Sequence, residues 1–145
     1  MPLTPAQMDA RMDEHFGFEA ADNVAGVVAT LSPDVEHDIV GWPTGPTHGR
    51  DAARPFYEAL FTDLSDSRFK TIRRLYGDDF MVDESQWSGR APGRPFGLEG
   101  RDRPLTFRLL HVVQFAPNGD IARENVWIDL AAILQQLPQD QAATA

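Results

Sequence analysis

Two apolar-rich runs, residues 105–115 and 121–128, flank the segment Ala116-Pro117-Asn118-Gly119-Asp120. That arrangement constrains the chain more than any other feature, because it specifies two strands joined by a tight hairpin loop. Pairing of Phe115 with Ile121 across the five-residue loop decides which side chains share a face. One face then carries Phe107, Leu109, His111, Val113 and Phe115 beside Ile121, Arg123, Asn125, Trp127 and Asp129. In this register His111 lies opposite Asn125, and Phe107 opposite Asp129. The other face carries Arg108, Leu110, Val112 and Gln114 beside Ala122, Glu124, Val126 and Ile128.

Both faces are largely apolar, whereas a sheet in a small monomer normally shows one face to water. One face is therefore expected beneath helices and the other against a second copy, which predicts a homodimer built sheet to sheet. His111, Asn125 and Asp129 interrupt the first face with polar groups. Buried polar groups need partners, so they either bond one another and fix the fold or converge on a small-molecule pocket. A carboxylate set against apolar walls has a shifted proton affinity and suits proton transfer. Asp129 also stands where it can cap a helix over residues 130–137, and a helix N-terminus would lower its pKa.

Upstream, the spacing of Met8, Met12 and Phe16 predicts a helix over residues 4–16, with Thr4 as cap and Pro5 in the first turn. A second helix is expected over residues 22–31, ended by Ser32-Pro33, and a strand over residues 35–42. A third helix spans residues 50–64, with Phe56, Leu60, Phe61 and Leu64 facing inward; Pro55 suggests a start near Ala53. Strands follow at residues 69–76 and 80–89, then a connection rich in Gly, Pro and Arg over residues 90–103. Helices first and hairpin-joined strands afterwards indicate a single α+β domain over residues 1–138 with an antiparallel sheet. Residues 139–145 are expected to be a disordered tail.

The net charge of −9 argues against nucleic acid and against an anionic membrane surface as partners. The chain has no cysteine, hence no disulfide framework and no thiol nucleophile. No apolar run approaches the roughly 18 residues of a membrane span. The N-terminus lacks the regions of a signal peptide, so a cytoplasmic location is the expectation. His15, His37, His48 and His111 are scattered without metal-ligand spacing, and no metal site is expected.

The motif Gly119-x-Ile121-x-x-Glu124-x-x-Trp127-x-Asp129-x-x-x-Ile133-Leu134-x-Gln136-Leu137 resembles the C-terminal signature of the SnoaL-like polyketide cyclases. These lie in the bacterial ester-cyclase-like branch of the NTF2-like superfamily. Gly49-Arg50 followed by Phe56-Tyr57-x-x-Leu60-Phe61 is similar to the family's third helix, and Asp83-Glu84-x-x-Trp87-x-Gly89 to its central strand. The resemblance implies a cone-shaped domain: a curved sheet wrapped over helices around a deep apolar pocket, with frequent dimers through the outer sheet face. It also implies acid–base catalysis by an aspartate without a cofactor, a role that falls by motif position to Asp129, with His37 and His111 as pocket histidines. Relatives include cyclases, isomerases and epoxide hydrolases. The stretch Ser88-Gly89-Arg90-Ala91-Pro92-Gly93 departs from the family's usual Gly-Thr-His-x-Gly, and the last helix ends Gln136-Leu137-Pro138.

The candidate catalytic groups are Asp129, His111, Glu84 and His37. Trp42, Tyr57, Trp87, Phe107, Asn125 and Trp127 are the candidate wall and contact residues for a small hydrophobic carbonyl compound. Each has a structural alternative. The histidines can be satisfied core residues, the indoles can be core filling, and Glu84 on a central strand can be half of an ion pair. Strict alternation puts Glu124 on the face opposite Trp127, where a dimer-facing or Arg-paired role is expected. A non-catalytic binding or dimerising module and an epoxide hydrolase remain the alternative functions, since fold alone does not specify chemistry.

Overall fold

The computed structural model describes residues 2–40 and 45–137. Most of the helix lies in the N-terminal half. Helix α1 (Pro5–Ala20) starts in a capping box in which Thr4 and Gln7 satisfy each other's backbone amides, with Pro5 in the first turn. Helix α2 (Val24–Ala29) is capped by the Asn23 side chain on the Gly26 amide. Strand β1 (Leu31–Ile39) follows, then the short β2 (Thr47–His48) and helix α3 (Arg50–Asp63). Strands β3 (Ser65–Tyr76), β4 (Phe80–Ala91), β5 (Arg103–Phe115) and β6 (Ile121–Ile128) form the sheet with β1 and β2, and helix α4 (Leu130–Gln136) closes the order.

The six strands make one curved, unclosed sheet in the order β2-β1-β6-β5-β4-β3, an α+β architecture. The sheet is mixed: β1 runs parallel to β6, and the other neighbours pair antiparallel. This corrects the expectation of a wholly antiparallel sheet. Ser32-Pro33 does not end a helix but lies inside β1, where the ladder to β6 is interrupted between Leu31 and Glu36. Pro33 is exposed there, and an irregular stretch of strand is where a residue without an amide proton is tolerated. The expected disordered tail and Trp42 lie outside the described residues.

The hairpin forms as expected at its tip: Phe115 pairs with Ile121, and Gly119 supplies the left-handed backbone (φ 92°) that the loop requires. The next pair is Gln114 with Arg123, so Ala122 is an extra residue on β6. Such a bulge reverses the facing of every later residue on its strand. His111 therefore lies opposite Val126 rather than Asn125. Glu124, Val126 and Ile128 look inward, and Asn125 and Trp127 look outward.

Two apolar clusters hold the layers together. The first joins Met8, Met12 and Phe16 of α1 to Val27, Leu31, Tyr57, Met81, Val113 and Ile121. The second joins Trp87, Leu105, Phe107 and Leu109 to Ile133 and Leu137, which packs α4 on the sheet. Phe56, Leu60 and Phe69 touch both clusters, and a cavity opens where the two fail to merge.

An ionic clamp, buried at Arg74 and Asp83 and open to solvent at Asp9 and Asp13, ties α1 to the sheet. Arg74 on β3 reaches Asp83 at 2.8 Å, Asp9 at 3.0 Å and Asp13 at 2.8 Å, and Tyr76 donates to Asp9 at 2.6 Å. Asp83 is completely buried and also accepts from Ser85. Removing one partner of such a pair leaves an uncompensated buried charge. Arg74→Met should destabilise the domain by about 3–5 kcal/mol, read from urea denaturation, and adding Asp83→Asn should recover a large part of that loss.

Candidate functional site

The cavity lies between α1, α3 and the concave face of the sheet. Its walls are Phe56, Leu60, Phe69, Trp87, Phe96 and Phe107, with Ile39, Leu109, Val126 and Ile128 behind them. Trp87 and Phe107 stack with centroids 5.1 Å apart, and Phe96 stands edge-on to Phe107 at 6.0 Å. The space open to the centre of a water-sized molecule is about 50 Å³, within about 570 Å³ that also counts adjoining open solvent. Four ionisable side chains line it: Glu19, His37, His111 and Glu124.

These four come from α1, β1, β5 and β6, and a layer of fully buried groups stands behind them. Tyr57 on α3 lies 3.2 Å from His37 Nε2 and donates to Glu124 Oε2 at 3.3 Å. His15 on α1 sets Nε2 3.4 Å from Glu124 and 3.7 Å from Glu19. Its Nδ1 is 2.7 Å from the Thr30 hydroxyl. That hydroxyl donates to the Val27 carbonyl at 2.6 Å, so it accepts from His15, which assigns a proton to Nδ1. On the other flank, Asp83 Oδ1 lies 3.5 Å from His111 Nδ1.

Electrostatics sorts these groups into roles. Burial alone would favour neutral His15, but the charge and contact of Glu124, with Glu19, outweigh it and raise the pKa to about 8. Burial acts oppositely on Glu124, yet His15, His37 and His111 hold its carboxyl well below the usual carboxylate range. Burial raises Glu19 to about 7, with Glu124 adding to the rise and His15 and His111 opposing it. Burial lowers His37 and keeps it a neutral imidazole. Asp83 stays ionised because His111, Ser85 and Arg74 together overcome its burial. At neutral pH Glu124 and Asp83 are thus carboxylates, His15 an imidazolium and His37 a neutral imidazole, while Glu19 has the proton affinity nearest the surrounding pH.

Of the sequence-derived candidates, the fold brings His37, His111, Trp87 and Phe107 to the cavity, with Tyr57 directly behind. The others lie elsewhere. Asp129 is exposed and caps α4, accepting from the Ala132 amide at 3.1 Å. Trp127 is 42% exposed on the outer face. Asn125 donates to Asp38 at 3.2 Å on that same outer face. Glu84 faces outward too, between Arg73 and Arg108. The bulge at Ala122 explains the first three placements, because it turns the inner face of β6 over to Glu124. Strict alternation along β4 accounts for Glu84, since Asp83 and Ser85 take the inward positions.

Sequence reasoning missed Glu19, His15 and Glu124 as site residues. A signal existed for the first two: Met8, Met12, His15 and Glu19 recur at helical spacing, so two ionisable groups interrupt an apolar stripe. Glu124 was marked by its place in the C-terminal motif, but the expected dimer-facing or Arg-paired role is overturned: it faces the cavity and meets His15 and Tyr57. Among the described residues no group of three or more His, Cys, Asp or Glu side chains is placed to hold a metal ion. Nor is any helix among them long and apolar enough to cross a membrane.

The family model for SnoaL-like polyketide cyclases matches residues 7–137, and the chain belongs to that family. No curated protein sequence matches it. Solved structures show the same NTF2-like fold at low identity. TsrD from Streptomyces laurentii shares 18% identity with a TM-score of 0.80, over 94% of this chain and 98% of that one. A SnoaL-like polyketide cyclase homologue from Jannaschia sp. CCS1 shares 14% with a TM-score of 0.81, over 97% and 99%. An M. tuberculosis LEH-like epoxide hydrolase shares 13% with a TM-score of 0.72, over 96% and 95%.

The raised His15 pKa has a consequence for stability. A histidine favoured as a cation in the folded state stabilises it fully below its unfolded pKa of 6.5, and this contribution is lost as pH rises through about 8. Glu19 adds to the same trend over the lower interval from 4.5 to about 7, because the folded state prefers its neutral form. The melting temperature should therefore fall as pH is raised from 6.5 to about 8, the interval of the His15 shift. In His15→Gln the domain should melt lower at pH 6.5 and show a flatter dependence across that interval; calorimetry at several pH values checks both.

Proposed function

We propose that the chain is a cofactor-independent acid–base enzyme of the cyclase or isomerase type, acting on a small, mostly apolar molecule with a carbonyl group. Membership in the SnoaL-like polyketide cyclase family supports a small-molecule reaction of this kind. The observation that carries the reading is the convergence of Glu19, His37, His111 and Glu124 on one cavity walled by aromatic rings. A general base works best when its pKa lies near the working pH, and Glu19 is held at about 7. His37, neutral and bonded to Tyr57, is positioned as its counterpart.

In this reading Glu19 removes a proton next to the carbonyl and the C–H electrons pass into an enolate. The oxyanion forms among low-dielectric walls, where an imidazole or hydroxyl proton stabilises it far more than water would. Glu124 stays charged and acts as the anchor for His15 and Tyr57 rather than as the base. Trp87, Phe107 and Phe96 hold the apolar body of the substrate against flat, polarisable faces. Glu19→Gln should lower kcat by roughly 10²–10⁴-fold, measured on a panel of enolisable ketones, with ligand affinity by tryptophan fluorescence retained. Asp129→Asn, which keeps the helix cap, should leave turnover within about twofold because a side-chain amide oxygen caps as well as a carboxylate. Loss of activity in Asp129→Asn with none in Glu19→Gln would return the chemistry to the helix cap.

We also propose that two copies pair through the outer sheet face. Phe80, Leu110 and Trp127 are 42%, 39% and 42% exposed there, around a groove that includes Val40 and Val112. Exposed apolar groups clustered in this way mark an interaction surface. Light scattering at micromolar concentration should give twice the chain mass, and Leu110→Glu should return it to 16.1 kDa.

A further inference from the structure

Two groups at the site never reach the cavity. His15 and Tyr57 are both fully buried, yet each bridges groups that do reach it. His15 Nε2 has no hydrogen-bond partner, although two carboxylates stand within 3.7 Å of it. Buried nitrogens without a partner are uncommon in folded proteins and ask for a reason. Here the nitrogen sits between alternatives, where a small movement commits it to Glu19 or to Glu124. The Tyr57 hydroxyl has the same character. It holds one proton and stands 3.3 Å from Glu124 Oε2 and 3.2 Å from His37 Nε2, so it donates to one and accepts from, or ignores, the other.

Building on the acid–base reading, we propose that His15, Glu124 and Tyr57 link Glu19 and His37 into one proton relay, so that uptake at one end of the chain of contacts is matched by delivery at the other. The links run Glu19–His15–Glu124–Tyr57–His37, at 3.7, 3.4, 3.3 and 3.2 Å. Both ends line the cavity, and the three inner members come from α1, β6 and α3. His15, Glu124 and Tyr57 are relay residues that act through the two ends.

The steps balance. Glu19 takes a proton from the bound molecule, whose C–H electrons remain as an enolate. The Nε2 proton of His15 moves to Glu124, and the new Glu19 proton replaces it. In the same concerted shift Glu124 passes a proton to the Tyr57 oxygen as the Tyr57 proton moves to His37 Nε2, so Glu124 is a carboxylate before and after. His37 gives its Nδ1 proton to the ligand at a second position. Glu19, His15, Glu124 and Tyr57 end in their starting charge states, and His37 ends in its other tautomer. That Nε2–H form is the one His37 holds while Glu19 is ionised, so exchange with water returns the proton to Nδ1 before each turnover.

The relay has a signature that needs no substrate. With Glu19 ionised, the His15 Nε2 proton is drawn toward it. Glu124 is then free to accept from Tyr57, and His37 donates through Nε2. With Glu19 protonated, His15 turns to Glu124, Tyr57 turns to His37, and the His37 proton sits on Nδ1. The titratable neighbours of Glu19 are His15 on its own helix, Glu124 on β6 and His111 on β5. Those of His37 are Glu124, His15, Asp38 and His111. Substituting Tyr57 leaves all of these in place, so it separates transfer along the chain of contacts from field effects.

The test is nitrogen NMR of protein labelled in its histidine rings, titrated across the Glu19 value of about 7. In the wild type the His37 tautomer should switch from Nδ1–H to Nε2–H as pH rises. In Tyr57→Phe the His37 tautomer should no longer follow pH while His15 still titrates. Glu19→Gln, a change at the far end of the chain, should remove the switch as well, and it decides the matter if Tyr57→Phe does not fold. A His37 tautomer independent of pH in the wild type, or unchanged behaviour in either variant, overturns the relay. A second arm uses conversion of 3-cyclohexen-1-one to its conjugated isomer, followed by ultraviolet absorbance. Tyr57→Phe should slow it at least tenfold, in line with the loss expected of an acid–base contribution, and an undiminished rate overturns the relay. Absence of turnover by the wild type counts against the acid–base reading, while the tautomer switch independently decides the relay.

Discussion

One extra residue in β6 governs this molecule. Between the Phe115–Ile121 and Gln114–Arg123 pairs, Ala122 has no counterpart on β5. The parallel ladder to β1 breaks at the same place, between Leu31 and Glu36. Side chains alternate along a strand, so this single insertion exchanges the two faces of everything that follows. It puts a glutamate, a valine and an isoleucine into the cavity and sends an asparagine and a tryptophan to the outside. With the other parity, His15 would be a buried base with no charged partner from the sheet.

The second constraint is a shortage of cations. Two carboxylates, Glu124 and Glu19, share one imidazolium, His15. The closer and fully enclosed acid takes most of the stabilisation and stays ionised. The other is left near neutrality in its proton affinity. Asp83 is handled differently, with Arg74 as a permanently charged partner and Ser85 as a donor. One carboxylate is thereby locked and another left adjustable a short distance away. Desolvation makes buried charge costly, and the adjustable acid is the one whose protonation can change near neutral pH.

Much of the architecture was legible from sequence because it rests on local physics. The capping pair Thr4 and Gln7, the stripe through Met8, Met12 and Phe16, and the hairpin tip at Asn118-Gly119 are each specified within a few residues. Pro55 did not delay α3, since the amide it lacks belongs to an exposed early turn. Half of the site was also readable: His37, His111, Trp87 and Phe107 lie on strands with unbroken alternation relative to their core neighbours. Asn125, Trp127 and Asp129 lie beyond the bulge, and there the alternation rule pointed the wrong way. Ala122 carries no local mark of a bulge, being neither glycine nor proline.

The amino-acid sequence by itself determined most of the helices, the long strands, the tight turn between β5 and β6 and the family signature at the C-terminal end, because each depends on spacing and backbone preference within a short window. Tertiary structure alone decided which side of β6 faces inward and which acids share a cation. Pairing parity belongs to two strands together, and proton affinity belongs to the distances among His15, Glu19, His37, Tyr57 and Glu124. Those residues meet only after α1, β1, α3 and β6 close around the same apolar hollow.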